Sequence, residues 1–177
     1  MTPIETVLAA LRSEREYQRR RWGCRQPDGT LTDAQQSIAD YVIYMQDYDR
    51  DAQQQATRNA DQAASLDALR KVVGLGFACL EQWGTTIKDT ACTFDEIAAV
   101  AQQADKMAIT FDYSAYLLRI GALLNSMMTD AAFGSRLGAV AAIQQILQAG
   151  VDCFMQYSIA PRDLSQPIIN ARDGQPA

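Results

Sequence analysis

The feature that most constrains the fold of this chain is an internal near-repeat. The segment 66–83 (LDALRKVVGLGFACLEQW) aligns without a gap on 140–157 (VAAIQQILQAGVDCFMQY). Four identities recur, and most other positions keep an apolar side chain. The recurring residues are Ala68, Gly76, Cys79 and Gln82, which correspond to Ala142, Gly150, Cys153 and Gln156. Such a repeat predicts one helical unit present twice, although two amphipathic helices also resemble each other through periodicity alone.

A second signature lies upstream of each repeated segment. Asp40-Tyr41-x-x-Tyr44 recurs as Asp112-Tyr113-x-x-Tyr116. Charge is lost between the copies, because residues 38–86 carry eleven charged side chains and residues 110–160 carry five. Arg70-Lys71 of the first copy is replaced by Gln144-Gln145 in the second. We therefore expect ligand binding or chemistry in the first half of the chain.

Composition restricts the classes of function. The chain has 177 residues with 48% hydrophobic content, which is enough for one soluble domain with a substantial core. A net charge of −5 argues against nucleic acid or an anionic membrane as partner. Without histidine or a CxxC pair among four cysteines, zinc spacings and Ser-His-Asp catalysis are excluded. The most apolar stretch, 113–128, contains Arg119 and is too short to span a bilayer, so we expect a cytoplasmic protein.

Periodicity and capping signals predict an all-α bundle of two tandem, diverged three-helix units. The expected helices run from the capping box Thr2-Pro3-Ile4-Glu5 to about Trp22, from near Asp33, over about 65–83, over about 94–107, from about Phe111, and over about 137–157. Residues 1–88 form the first unit with the candidate site, 89–160 the second, apolar unit, and 161–177 an irregular tail, together in one compact domain. The helix from Phe111 has little polar surface, so we expect it to be buried nearly all round. Gly74, Gly76, Gly138 and Gly150 would allow close helix approach at the junction between the units.

The first predicted helix carries an unusual polar continuation of its apolar stripe. Ile4, Leu8 and Leu11 are followed at the same spacing by Arg15, Gln18 and Trp22. A buried guanidinium needs an anionic or aromatic partner. That partner is either a structural carboxylate, such as Asp40 or Asp47, or a ligand.

Further cations and aromatic residues fall near the same cleft if the first three helices pack as neighbours. Together they predict a pocket for a phosphorylated aromatic ligand such as a nucleotide. The proposed ligand-binding residues are Arg15, Gln18, Trp22, Tyr44, Tyr48, Arg70 and Lys71. A solvated basic pair is the alternative interpretation of Arg70-Lys71.

Three aspartates offer a metal site instead. Asp47 and Asp51 lie four residues apart on one helical face, where Asp67 of the next helix would complete a set of oxygen ligands for Mg²⁺ or Mn²⁺. The alternative is a solvated acidic face.

A family resemblance adds to this interpretation. The segments 14–23 (EREYQRRRWG), 66–75 (LDALRKVVGL) and 79–84 (CLEQWG) resemble small phage-encoded proteins similar to the MazG-like, all-α nucleoside triphosphate pyrophosphohydrolases. The resemblance covers about residues 8–88. It implies a fold that assembles through helix pairing and a nucleotide as ligand. In active MazG-like enzymes, Glu-Glu-x-x-Glu and Glu-x-x-Asp motifs on successive helices bind magnesium.

This chain departs from those motifs. The corresponding positions read Gln46-Asp47-Tyr48-Asp49-Arg50 and Asp67-Ala68-Leu69-Arg70, with a cation where each last acid is expected. A positive charge repels a divalent ion and attracts phosphate.

These departures favour sequestration of a nucleotide or nucleotide-derived signal, without cofactor, in the cytoplasm of an infected bacterium. The tandem copy would supply a second subunit from within the chain, and the apolar helices would also allow a homo-oligomer. A Mg/Mn-dependent pyrophosphohydrolase and a protein-interaction module are the alternatives.

Overall fold

A computed structural model describes residues 2–84 and 111–177 of the chain. They contain five α-helices and one short antiparallel hairpin, so the all-α fold class is confirmed. The elements are α1 (Pro3–Trp22), β1 (Cys24–Arg25), β2 (Leu31–Thr32), α2 (Ile38–Thr57), α3 (Gln62–Trp83), α4 (Tyr113–Ala132) and α5 (Arg136–Tyr157). The helix predicted at about 94–107 lies outside the described residues.

The local signals at α1 act as the sequence predicts. Thr2 and Glu5 form a capping box, and Pro3 occupies the first turn. After Gly23 the chain turns through residues 26–29, and Gly29 adopts a φ of 86°, which glycine tolerates without strain. The flanking β1 and β2 pair Cys24 with Thr32. Sequence periodicity missed these strands because two residues are too few to show an alternating pattern.

The second helix starts later than predicted. Its first residue is Ile38 rather than a position near Asp33, because Ser37 and Asp40 form the capping box. The Asp40 carboxylate accepts hydrogen bonds from the backbone and hydroxyl of Ser37. Asp33 is left in the preceding loop, where its carboxylate is available to α1.

Two helical hairpins form the bundle. One consists of α2 packed on α3, and the other of α4 packed on α5. The hairpins meet through α2 against α4 and α3 against α5, while α1 lies mainly along α3. The centre of the core is made of fully buried side chains from every helix, including Leu11, Met45, Phe77, Met127 and Phe154.

The packing of α3 against α5 is reciprocal. A Cβ at Gly76 would press on Leu147, and a Cβ at Gly150 would overlap Val73. Gly150 is the repeat counterpart of Gly76, and Leu147 is the counterpart of Val73. The close approach predicted for these two glycines is therefore confirmed, and it occurs at equivalent points of the two helices. The same prediction was wrong for Gly74, which faces α1, and for Gly138, which faces α4 of its own hairpin.

The second hairpin is less enclosed than predicted. The expectation that α4 is buried nearly all round is wrong, because Leu118 is 73% exposed and Met128 is 44% exposed. In the described residues α4 packs chiefly on α5 and α2, and its opposite face meets solvent. Within this part of the chain, α5 is the one helix long and apolar enough to cross a membrane, and 61% of its most apolar window is buried in the bundle.

Candidate functional site

The polar continuation of the α1 stripe is buried. Arg15 is 4% exposed and Gln18 is 6% exposed, whereas Trp22 at the helix end is 38% exposed. Gly74 on α3 allows this approach, because a Cβ there would lie 2.8 Å from Nε2 of Gln18. The residue types that looked out of place in the stripe therefore face α3 rather than solvent.

Arg15 has carboxylate partners other than those the sequence suggested. Its Nη2 donates to Oδ2 of Asp33 at 2.7 Å and to Oε2 of Glu81 at 2.8 Å, and Nη1 donates to Oε1 of Gln18 at 3.2 Å. The predicted structural partners, Asp40 and Asp47, were wrong. Asp40 caps α2, and Asp47 pairs with Arg50 on the surface at 3.2 Å.

The electrostatics keep Arg15 charged inside the bundle. Burial opposes the charged form, but the carboxylates of Asp33 and Glu81 outweigh it and hold the pKa of Arg15 above its ordinary value. Its Nε is buried and has no hydrogen-bonding partner among the described residues. An unpaired buried donor carries a desolvation cost of about 1–3 kcal/mol.

The loop before α2 is fixed by the end of α3. Gln82 donates from Nε2 to the carbonyl of Ala34 at 2.9 Å and accepts from the backbone N–H of Gln36 at 3.2 Å. Trp83 donates from Nε1 to the carbonyl of Gln36 at 3.0 Å. These three bonds hold Asp33 and Gln36 against the end of α1. The side-chain Oε1 of Gln36 is buried and has no hydrogen-bonding partner within the described ranges.

A cavity of about 240 Å³ lies between α1, α2, α3 and this loop. Six of the seven residues predicted to bind ligand line it, and Arg70 does not. The lining residues are Arg15, Gln18, Trp22, Gly23, Asp33, Ala34, Gln36, Tyr41, Tyr44, Tyr48, Lys71, Leu75, Ala78 and Arg172. Tyr41, Asp33, Gln36 and Arg172 are the polar or aromatic members that the sequence did not single out.

Aromatic rings dominate the apolar part of the wall. Tyr41 is 2% exposed and lies deep, while Tyr44 is 47% exposed and stands with Trp22 on the more accessible side. The ammonium of Lys71 lies 5.2 Å from the centre of the Tyr48 ring and 3.2 Å from Oδ2 of Asp67. Burial, with the nearby Glu14 carboxylate, raises the pKa of Tyr48, so its hydroxyl stays protonated and can donate. Rings and donors together suit a planar, polar ligand.

Arg70 belongs to a neighbouring charge cluster. Its guanidinium pairs with Asp67 and Glu14, and its Nη1 donates to the carbonyl of Ala160 at 2.8 Å. Glu14 is fully buried and accepts from Arg162 Nε at 2.7 Å. Burial raises the pKa of Glu14, although Arg162 and Arg70 counteract this. Glu14 was not among the predicted site residues, although its position three residues after Leu11 and four before Gln18 places it on the same stripe.

The three predicted metal ligands do not converge. Asp47 faces solvent beside Arg50, and Asp51 accepts a hydrogen bond from Gln55 Nε2 at 3.1 Å. Burial opposes ionisation of Asp67, but Arg70 and Lys71 lower its pKa below the ordinary value. Among the residues that the structure describes, no three acidic or thiol side chains are grouped closely enough to hold a metal ion.

Comparison with protein-family models, with curated proteins and with solved structures finds no match. The resemblance to MazG-like proteins therefore stays a prediction, and the cavity has to be interpreted from its own residues.

Proposed function

We propose that the cavity between α1, α2 and α3 binds a small nucleotide or nucleotide-derived molecule and retains it without chemical turnover. The observation that carries this proposal is that four aromatic residues share one cavity wall with three cationic ones. The aromatic residues offer faces for a base, and the cations offer charge for a phosphate.

Each part of the wall has a distinct role in this proposal. Trp22 and Tyr44 supply faces on which a base stacks, and such stacking contributes about 1–3 kcal/mol per base. Arg15 is held in place by Asp33, Glu81 and Gln18. It can therefore contact the polar edge of the ligand without a large loss of side-chain entropy. Lys71 at the wall adds positive charge.

Retention is favoured over hydrolysis by the surroundings of the acidic residues. Asp67 is paired with Arg70 and Lys71, and those cations oppose binding of a divalent ion at its carboxylate. Asp47 lies on the exposed face beside Arg50. The metal-dependent pyrophosphohydrolase remains the alternative, and it predicts that Asp47→Asn abolishes turnover.

One observation supports the interaction-module alternative. Phe133 and Leu137, at the turn between α4 and α5, are 86% and 66% exposed. Exposed large apolar side chains at one hairpin tip are a feature of contact surfaces. A purified protein that associates through this tip, and loses the association in Phe133→Ser with Leu137→Ser, would favour that function.

The finer architecture is also a proposal. We propose that the two hairpins are diverged copies of one unit arranged around a pseudo-two-fold axis, as the MazG-like resemblance implies. The reciprocal contacts of Gly76 with Leu147 and of Gly150 with Val73 support it, because a two-fold axis makes equivalent residues exchange contacts. The apolar second hairpin would then act mainly as scaffold.

Retention is tested by incubating the protein with nucleoside mono-, di- and triphosphates, cyclic nucleotides and cyclic ADP-ribose isomers in the presence of Mg²⁺. After filtration, the filtrate and the heat-denatured protein are analysed by mass spectrometry. We expect a compound that is depleted from the filtrate and released intact by heat. Loss of a triphosphate, with a matching rise in its monophosphate and the appearance of pyrophosphate, would establish the hydrolase instead.

The variant Lys71→Ala sharpens this test. We expect it to weaken retention at least fivefold, because a cation at the cavity wall is lost. Gln145→Ala is the matched control, since Gln145 is the exposed repeat counterpart of Lys71 in α5. Equal loss in both variants would contradict the assignment of the ligand to the first hairpin.

A further inference from the structure

The chain after α5 returns to α1 and follows it to its end. The backbone N–H of Arg162 donates to Oγ of Ser13 at 2.7 Å, and its side chain pairs with the buried Glu14. Beyond this anchor, Asn170 is 1% exposed and donates from Nδ2 to the carbonyls of Arg20 and Gly23 at 3.0 and 3.1 Å. The tail is therefore docked at both ends of its path.

The docking satisfies groups that a helix cannot satisfy itself. The last carbonyls of an α-helix have no partner within the helix. The backbone N–H of Ala171 donates to the carbonyl of Arg21 at 2.7 Å, and Nε of Arg172 donates to the carbonyl of Trp22 at 2.7 Å. Arg172 lines the cavity together with Trp22.

Arg172 differs from the other cations of the wall in its partners. Arg15 is paired with two carboxylates and Lys71 with one. Within residues 2–84 and 111–177, Arg172 forms no ion pair with a carboxylate, and the one hydrogen bond of its side chain, from Nε, goes to a neutral carbonyl. Its charge is therefore the one not already neutralised by an acidic side chain of the described wall.

We infer that Arg172 is the anion-binding residue of this cavity, and that the ligand is a monophosphorylated nucleoside whose phosphate contacts the Arg172 guanidinium. The inference rests on the proposed function. Two observations favour a single phosphate over a triphosphate. A cavity of about 240 Å³ is below the roughly 300–1,000 Å³ of common ligand sites, and three phosphates would face one unpaired guanidinium.

The inference assigns a function to the tail as well. Residues 164–177 hold Arg172 beside Trp22, so the C-terminal segment completes a site whose other residues come from the first half of the chain. Hydrogen bonds to a charged group contribute about 1.5–3 kcal/mol each, which corresponds to about a 10- to 150-fold change in affinity.

The test compares four nucleoside 5′-monophosphates with the four matching nucleosides and with inorganic phosphate, by titration calorimetry on the full chain. We expect at least one monophosphate to bind wild-type protein tenfold or more tightly than its nucleoside and than inorganic phosphate. Arg172→Gln should reduce that ratio to about two and leave nucleoside affinity unchanged. Arg172→Lys, which keeps the charge, should restore part of it.

Arg119→Gln is the matched control, because Arg119 is an exposed arginine of α4 outside the cavity wall, and it should behave as wild type. An unchanged melting temperature shows that Arg172→Gln is folded. If a monophosphate binds but Arg172→Gln keeps the preference, or if nucleosides or inorganic phosphate bind as tightly, this inference is overturned and the proposed function survives. If none of the nine probes binds, and the broader panel is not retained either, the proposed function falls with it.

Discussion

The ends of α3 and α5 anchor their hairpins through equivalent side chains. Gln82 and Trp83 bind the backbone two to four residues before α2, and Gln156 and Tyr157 bind the carbonyl of Phe111, two residues before α4. The repeated Gln-aromatic pair therefore has a physical role, which is to fix the start of the preceding helix.

What surrounds these anchors differs between the hairpins. Tyr44 is 47% exposed beside the cavity, whereas its counterpart Tyr116 is 4% exposed. The centre of the Tyr116 ring lies 5.6 Å from that of Phe111 and 6.3 Å from that of Tyr157. The Tyr116 hydroxyl donates to Oε1 of Gln156. One framework thus supports an open polar cavity in the first hairpin and a closed aromatic cluster in the second. The side chains that fill the space around a helix end, rather than the helix pair itself, therefore decide whether a cavity exists there.

The largest expected effect tests whether the two hairpins share one core. Leu80 and its counterpart Phe154 are both fully buried. Leu80→Ala and Phe154→Ala should each lower the free energy of unfolding by about 3–4 kcal/mol, because each leaves a cavity in close-packed surroundings. Chemical denaturation measures this. A single cooperative transition in both variants fits a shared core, and a second transition in either would show hairpins that unfold independently.

The next effect concerns the place where α2 meets α4. Asp49 on α2 faces Gly121 on α4, which is its counterpart in the repeat register, and the Asp49 side chain is buried. Its Oδ2 accepts from Gln53 Nε2 at 2.7 Å, while Oδ1 has no partner among the described residues. Burial raises the pKa of Asp49 from 3.8 to about 6. Between pH 3.8 and about 6, Asp49 is therefore protonated in the folded protein and ionised in the unfolded chain.

The sign of the stability change follows from that difference. Because the pKa of Asp49 is higher in the folded protein, its protonation adds to the free energy of unfolding below about pH 4. This contribution, about 3 kcal/mol in total, is lost as the pH rises through 6. The Asp49→Asn variant should lack this contribution to the pH dependence. At pH 7.5 it should be more stable than the wild-type protein. Urea denaturation at pH 5 and pH 7.5 measures it. Asp47→Asn, at an exposed site, should keep the wild-type slope, and an unchanged slope in Asp49→Asn would contradict the assignment.

The smallest effect separates the two anchors. Gln82→Ala should lower the free energy of unfolding by about 1–2 kcal/mol, because its two backbone partners are partly buried. Gln156→Ala should cost about 0.5–1 kcal/mol, because its backbone partner is exposed. Only Gln82→Ala should change the cavity, since Gln82 holds Ala34 and Gln36 in its wall. Quenching of Trp22 emission by acrylamide, in a Trp83→Phe background, reports this. Equal quenching changes in both variants would mean that the anchors are not specific to their own hairpin ends.

Much of the fold was predictable because its signals are local. The Thr2-Glu5 box, the periodic apolar stripes and the recurring Gly76 and Gly150 act through neighbours within one or two helical turns, or through equivalent positions of a repeat. The start of α2 was misplaced near Asp33, although the capping box of Ser37 and Asp40 that begins the helix is itself a local signal. Burial of α4 was overestimated because an apolar sequence does not reveal how many partners a helix has.

The site was predictable to the extent that it lies on one helical face. Arg15, Gln18 and Trp22 follow from the α1 stripe, and Tyr44, Tyr48 and Lys71 from helices expected to pack beside it. The wrong partners for Arg15 came from choosing acids on the next helix, whereas Asp33 lies in the loop that Gln82 holds in place. Several carboxylates are within reach of a long arginine side chain, and no local sequence pattern shows which of them will pair with it.

The sequence by itself determined the helices, their caps, the doubled Gln-aromatic ends and the polar stripe on α1, because these depend on interactions over a few residues. Only the tertiary structure decided that Glu81 neutralises Arg15, that Glu14 binds Arg162, and that Arg172 joins the cavity wall. These contacts link residues 66, 148 and 150 positions apart. Such pairings form when packed helices bring distant segments together, so the spacing of residues along the chain does not predict them.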